Sequence, residues 1–297
     1  MTAKTAVKSA NEPADDPLEH MLLFFNLSIR KLAFVGVSLP LITLLTCLAT
    51  AYVFQYDDVH ETHCRVYNVI PSISAITGVT PQTYMWRIAV AFHVGPRMVI
   101  AQVYYNYFIS QMSKVVDKST SYILINLCYW LNLIEIAAIC GVTYISNREN
   151  YRTSPRLSYC YTLIYCKLST IILKFFSFLL FLAVHEKIFI LFMLSSLLYM
   201  IVMIKTFNMM HKTMTEHQRL SYNIKKILFA ICITSTFTLI IYFIKHRFYC
   251  HDLAFTWFAL SEYVLAVSNM AFHFTITLDF PHEQLIVAKN FPTLKTD

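Results

Sequence analysis

Long apolar runs alternate with short polar stretches along this chain, and six of the runs are long enough to cross a bilayer as helices: 32–54, 88–110, 122–145, 188–207, 227–244 and 253–278. A hydrocarbon core of roughly 30 Å needs about 20 apolar residues in a row. A seventh run, 157–184, is apolar but interrupted by Lys167 and Lys174. The pattern predicts an all-α fold, a polytopic helical membrane protein with six transmembrane helices plus that one interrupted segment. Polar groups inside such runs point to function, because a central charge costs about 2.5–3.5 kcal/mol on insertion scales. The last run carries Glu262, Asn269 and His273. Steps of seven and four residues bring all three close to one helix face, a polar stripe on an otherwise apolar helix.

Composition supports the membrane reading. The chain is 57% hydrophobic and 14% charged, whereas soluble domains carry about 25% charged residues. An ordinary globular enzyme is thereby excluded. The net charge of +7 comes mostly from Lys and Arg in the loops, so it reads as topology and no nucleic-acid partner is expected. Lys4, Lys8, Arg30 and Lys31 precede the first run, Lys114 and Lys118 follow the second, and Lys205, Lys212, Arg219, Lys225 and Lys226 lie between the fourth and fifth. Six crossings place all three groups, and both termini, on the cytosolic side; a seventh crossing at 157–184 would move the last group across.

The expected organisation is a cytosolic tail over 1–31, a membrane domain over 32–280 with a lumenal loop 55–87 and an insertion 152–184, and a cytosolic tail over 281–297. The first 31 residues are too polar for a signal peptide, so the first run reads as a retained signal anchor. The stretch 175–182 is the kind of Phe- and Leu-rich string that a pyrimidine-rich nucleotide tract encodes. A translated intron or lineage-specific insertion accounts for it, as does a genuine re-entrant or interfacial lumenal helix.

Of eight Cys, none is paired in a CxxC spacing, so no metal centre is expected, and the His60, Glu61, His63, Cys64 cluster is weak by itself. Cys64 and Cys250 fall in separate lumenal loops, where disulfides persist, and a bridge between them is expected. Within the runs, His93 and Arg97 are four residues apart and share a face, with Gly95-Pro96 between them. One reading is an anion site, with Arg97, and Arg87 at the start of the run, holding a lipid phosphate and His93 acting as donor or base. The other is an intramembrane ion pair of Arg97 with Glu135 or Glu262. Asn132 and Glu135 are three apart and neighbours on the third helix. Glu262 and His273 are separated by eleven residues, about 16 Å of helix rise, which is too far for one hydrogen-bonded dyad. His273 with Asn269, or Glu262 with His93, is the easier geometry. No P-loop, HExxH or nucleophile elbow is present in the sequence.

Several strings occur together in order: Thr62-His63-Cys64, Asn68 with Pro71-Ser72-Ile73-Ser74, Pro81-Gln82-Thr83-Tyr84-Met85-Trp86-Arg87, His93 with Pro96-Arg97, Tyr105-Asn106, Tyr249-Cys250, Glu262-Tyr263, and Asn269-Met270-Ala271-Phe272-His273. Together they resemble the post-GPI-attachment-to-proteins factor 2 family from about residue 30 to 280, except across 152–182. The resemblance implies a multi-pass protein of the Golgi or endoplasmic reticulum membrane acting in lipid remodelling of GPI anchors. The implied step returns a saturated acyl chain to the sn-2 position of a lyso-GPI. Its partners would be membrane lipids, GPI-anchored proteins and accessory membrane enzymes, with no bound cofactor and acyl-CoA as co-substrate. Under that reading His93, His273 and Glu262 are the catalytic candidates. A non-catalytic lipid-binding scaffold that assists another acyltransferase is the alternative. A small-molecule transporter is a third reading, against which the chain shows no internal repeat.

Transcripts decide the status of 152–182. Sequencing of messages across the junction is expected to find both forms if the segment is a retained intron; its presence in every message sinks that origin.

Overall fold

The computed structural model describes residues 22–62, 64–146 and 184–289. Strand β1 (Leu22–Ser28) runs straight into helix α1 (Ile29–Phe54). Two short helices, α2 (Tyr56–His60) and α3 (Ile73–Thr77), lead to α4 (Gln82–Gln111). After a 3-10 turn come α5 (Lys118–Tyr144), α6 (Val184–Met210), α7 (Glu216–Tyr249), α8 (Ala254–Phe274), the short α9 (Ile276–Asp279) and strand β2 (Gln284–Lys289). The insertion 152–184 lies outside the described residues apart from Val184.

Among the described residues, α1, α5, α6 and α7 are long and apolar enough to cross a membrane, as expected of a multi-pass membrane protein. Helices α4 and α8, with 30 and 21 residues, are also of spanning length. They are less apolar because Arg87, His93 and Arg97 lie on the first and Glu262, Asn269 and His273 on the second. Each long helix packs on its sequence neighbour, and α8 returns to α1, so the six close into one bundle. Large apolar side chains such as Phe34, Phe92, Trp130, Leu198 and Phe237 point outward, while the ionisable groups turn in. That inversion suits lipid on the outside, where an unpaired polar group has no partner.

The two ends of the bundle differ. At one end, Cys64 and Cys250 are joined in a disulfide with Cα atoms 5.5 Å apart, tying the loop after α1 to the turn between α7 and α8. The loop over 55–81 is further held to α8: Val69 N–H donates to Thr256 Oγ1 (2.9 Å), Leu253 N–H to Tyr67 O (3.1 Å) and Tyr263 O–H to Pro71 O (3.2 Å). At this end too, His185 Nδ1 lies 2.6 Å from the carbonyl of Ile145. Helix α5 therefore ends where α6 begins.

At the opposite end β1 and β2 pair antiparallel, with Phe25 opposite Val287. The described fold is all-α apart from this two-stranded ladder, which joins the inner parts of the N-terminal and C-terminal tails. The chain before α1 and after α9 emerges at one end, so backbone groups that two separate tails would leave to water meet across a ladder. Helix α4 starts at Gln82, inside the expected loop 55–87, so Arg87 is helical.

The same end holds a polar cluster that the sequence pattern did not reveal. Lys225, one of the basic group between the fourth and fifth runs, is 1% exposed. Its ammonium donates to Asp279 Oδ2 and to Ser221 Oγ, each at 2.6 Å, and lies 4.8 Å from the centre of the Phe207 ring. Tyr104 O–H donates to the same Asp279 oxygen at 2.5 Å. Nearby, burial pushes the His211 imidazole below the usual histidine range. The neutral ring suits its contacts, with Nδ1 donating to Phe207 O (2.9 Å) and Nε2 accepting from Tyr107 O–H (2.7 Å). Helix α5 starts with Asp117 as its cap: Thr120 N–H donates to Asp117 Oδ1 at 3.1 Å, and hydrogen bonds from Thr120 hold that carboxyl below its usual range.

Candidate active site

The site starts from a carboxylate that the membrane core cannot leave alone. Glu135, on α5, is fully buried, and three helices besides its own supply partners to its polar cluster. Arg97 Nη2 of α4 lies 3.3 Å from Glu135 Oε2 and donates to Asn132 Oδ1 at 2.9 Å. From α8, Asn269 Nδ2 donates to Glu135 Oε1 at 2.7 Å and to Ser196 Oγ of α6 at 2.6 Å. His273 Nε2 donates to Glu135 Oε1 at 3.1 Å, its ring stacked on Tyr199 with centroids 5.1 Å apart and planes 11° from parallel. Helical spacing explains why each helix supplies its groups in register: Arg97 follows His93 by one turn, His273 follows Asn269 by one turn, and Asn132 precedes Glu135 by three residues. Asn269 and His273 do not bond each other; both converge on Glu135.

Beside this network, towards the disulfide end, lies a partly open cavity whose non-atom space, including the part open to the outside, amounts to about 870 Å³. Its walls come from α1, α3, α4, α5, α6 and α8. Pro40, Leu44, Phe189, Phe192, Leu265 and Met270 make it largely apolar, and the polar lining includes His93, Thr143, His185, Glu262 and Asn269. Helix geometry spreads the polar part from one end of the bundle to its middle, where His93 lies about 16 Å along α4 and Asn269 about 22 Å along α8. His185 is the second residue of α6, Thr143 the last but one of α5, and Glu262 lies eight residues into α8, about 12 Å of rise.

The state of His93 follows from a proline. Pro40 inside α1 has no N–H, so the carbonyl of Gly36, four residues back, receives no helical hydrogen bond. His93 Nδ1 lies 2.5 Å from that carbonyl. A carbonyl only accepts, so Nδ1 carries the proton, and in the neutral ring Nε2 is left as an acceptor. Gly36 also lets the helices approach: a Cβ there would meet Pro96 Cβ at 3.2 Å. The same logic applies to His185, whose Nδ1 donates to Ile145 O. Glu262 Oε2 accepts from Ile73 N–H at 2.8 Å, so the capping loop orients it. Asn269 has its N–H groups committed to Glu135 and Ser196, which leaves its oxygen as the remaining polar atom. The Thr143 hydroxyl is buried without a hydrogen-bond partner and lines the cavity, a free donor for whatever enters.

The site residues singled out in the sequence thus divide. His93, Glu262 and Asn269 line the cavity, while Arg97, Asn132, Glu135 and His273 form the ion-pair network beside it. Glu262 is not the partner of Arg97. Arg87 is apart from both: its Nη2 is 3.5 Å from Tyr144 O at the C-terminus of α5, its guanidinium 5.9 Å from the Tyr144 ring centre. Neither Arg97 nor Arg87 lines the cavity, so the geometry favours the ion-pair reading of Arg97 over a phosphate clamp. Cys64 is disulfide-bonded and the His60 ring nitrogens meet the Tyr56 and Val69 carbonyls; among the described residues no cluster of three metal-ligating side chains occurs. Sequence reasoning passed over Pro40, Thr143, His185 and Ser196. A proline inside an apolar run, four residues after a glycine, was the one available signal, because it announces a free carbonyl.

Replacing Arg97 by Leu leaves Glu135 without its guanidinium, a loss that typically costs about 3–5 kcal/mol. Thermal unfolding in detergent is expected to show a clear drop in midpoint for Arg97→Leu and recovery of most of it in Arg97→Leu/Glu135→Leu. An unchanged midpoint for the single variant would mean that the pair contributes little to the fold.

Comparison with known proteins agrees with this architecture. The Frag1/DRAM/Sfk1/Cwh43P N-terminal domain matches residues 29–154 and 152–283. The chain is 48% identical over 290 residues to the Drosophila melanogaster protein named "Post-GPI attachment to proteins factor 2-like", covering 96% of this chain and 80% of that one. It is 32% identical over 266 residues to "Acyltransferase PGAP2" of Xenopus tropicalis, covering 89% and 92%, and 29% identical over 256 residues to "Post-GPI attachment to proteins factor 2" of Caenorhabditis elegans, covering 85% and 86%. No solved structure matches. With its domain matches covering nearly the whole helical bundle and these relatives aligned along most of their length, the chain belongs to the Frag1/DRAM/Sfk1/Cwh43P family and, within it, to the post-GPI attachment to proteins factor 2 group.

Proposed function

We propose that this protein remodels the lipid of GPI anchors after their attachment to protein, by transferring a saturated acyl chain to the free sn-2 hydroxyl of a lyso-GPI. The carrying observation is the largely apolar cavity into which His93 is built with its Nδ1 proton fixed by the Gly36 carbonyl. Two relatives whose printed name contains "Acyltransferase" support the reading. In this proposal His93 Nε2 takes the proton of the glycerol hydroxyl as its oxygen attacks the acyl carbonyl, then returns it to the leaving group. Thr143 O–H donates to the carbonyl oxygen as charge develops there. Glu262, held by Ile73 N–H, orients the acceptor's hydroxyls, and the Asn269 oxygen does the same from two turns further along α8. Arg97, Glu135 and His273 act as positioning residues, since they fix Asn269 rather than line the cavity.

The topology proposed with it has six crossings, with α4 and α8 completing the set and both termini in the cytosol. The disulfide end then faces the lumen, where thiols are oxidised, and the basic end with Lys114, Lys118 and Lys212 faces the cytosol. A Golgi or endoplasmic reticulum membrane, with GPI-anchored proteins as partners, fits that orientation.

Two substitutions test this reading. In proteoliposomes given a lyso-GPI-anchored protein and labelled acyl donors, His93→Ala is expected to lower transfer by about 10²–10⁴-fold, the range for a lost general base. Full transfer by that variant would refute the role of His93; no transfer by the unsubstituted protein would favour a lipid-presenting scaffold. Pro40→Ala restores an N–H that competes with His93 for the Gly36 carbonyl. The expected result is a lower kcat with little change in KM and no loss of thermal stability, and an unchanged kcat would show that the ring needs no such anchor.

A further inference from the structure

Resting on that reading of the cavity, we infer that the acyl donor is a diacyl phospholipid of the lumenal leaflet rather than acyl-CoA, so that the protein is a transacylase. The placement of the polar groups carries the inference. His93, Thr143, His185 and Glu262 lie on the disulfide side of the Arg97–Glu135–His273 network: Thr143, His185 and Glu262 near the loop that holds Glu262 through Ile73, and His93 one turn before Arg97, about 16 Å along α4. The basic end is separated from them by the Arg97–Glu135–His273 network and by a layer of fully buried side chains that includes Tyr199, Phe207 and Ile276. Acyl-CoA is supplied from the cytosol, and its thioester would have to pass that layer.

Charge argues the same way. Coenzyme A carries several phosphate charges, and sites for such groups are lined by Arg, Lys or exposed backbone N–H groups. Among the described residues, the cavity lining contains no Lys or Arg and one carboxylate, Glu262. A phospholipid avoids the conflict: its headgroup stays at the membrane surface while its ester carbonyls lie just below, at the depth where the polar end of the cavity begins. Leu44, Phe189, Phe192 and Met270 then offer apolar wall to the chain being moved.

The reaction balances without a further reactant. The sn-2 oxygen of the lyso-GPI forms an ester bond to the acyl carbon, and the ester bond between that carbon and the phospholipid glycerol oxygen breaks. His93 Nε2 accepts the proton of the attacking hydroxyl and delivers it to the departing alkoxide. The products are the diacyl GPI and one lysophospholipid per turnover, with no change in redox state.

The test uses the full-length protein in proteoliposomes of mixed orientation, with a lyso-GPI-anchored protein as acceptor. One set of vesicles contains distearoyl phosphatidylcholine labelled in its acyl chains; the other is unlabelled and receives labelled stearoyl-CoA. The inference expects label in the GPI from the phospholipid, at a rate about tenfold or more above that from the thioester. It also expects equimolar lysophosphatidylcholine, with both products lost in His93→Ala. Transfer from stearoyl-CoA without lysophosphatidylcholine overturns the donor assignment and leaves the acyltransfer reading intact. Transfer from neither donor overturns both.

Discussion

Glu135 is a carboxylate at the centre of a bundle whose outer surface is apolar, and most of the interior is arranged around what that charge requires. An isolated ion there would be driven out or neutralised, so its partners must be present and well placed. They arrive from α4, α5, α6 and α8: Arg97 and His273 directly, Asn269 by hydrogen bond, Asn132 and Ser196 by satisfying those partners in turn. Such a cluster contributes less through its net stability than through what it forbids. A bundle rotated or slid by one turn would strand several polar groups at once, so the network selects one register for helices whose apolar surfaces would tolerate many.

That register has a consequence for the cavity. Because Asn269 turns its N–H groups to Glu135 and Ser196, its oxygen is the atom left over, and the acceptors around the cavity (His93 Nε2, Glu262, the Asn269 oxygen) are each set by a partner fixed in the fold. The partners are a carbonyl freed by Pro40, the Ile73 N–H and a buried carboxylate. Groups fixed in this way need no reorganisation when a hydroxyl enters, which is how preorganised polar sites gain their effect.

What could be read in the sequence, and what could not, follows the range of the interactions. The apolar runs located the long helices because length and hydropathy are local properties; α1 begins three residues before its run and α7 extends well past its own at both ends, where charged side chains can reach water. Helical spacing identified the pairs His93–Arg97, Asn132–Glu135 and Asn269–His273, since those lie on single helices. The identity of the partner across helices was open: Arg97 faces Glu135, and Glu262 faces a backbone N–H of the loop. The burial of Lys225 has no local signal for the same reason. Its sequence neighbours are basic and polar, and only Asp279 and Tyr104, 54 and 121 residues away, make its burial tolerable. The pairing of β1 with β2 joins the two ends of the described chain and leaves no local trace.

The two buried ionic clusters divide the bundle along its length. Lys225–Asp279 closes the basic end around α7, α9 and Tyr104 of α4, and Arg97–Glu135–His273 closes the middle. Between them the interior is packed with Tyr199, Met203, Phe207 and Phe272, each no more than 2% exposed. What remains open runs from the disulfide end towards the middle of the bundle, where the walls are largely apolar and the loop over 55–81 is fastened by a covalent bond and a set of hydrogen bonds. A substrate that enters there meets rigid acceptors above and a sealed floor below. For the proposed reaction, lateral entry between helices from the surrounding leaflet is the route that suits both boundaries, and it suits a substrate that is itself a lipid.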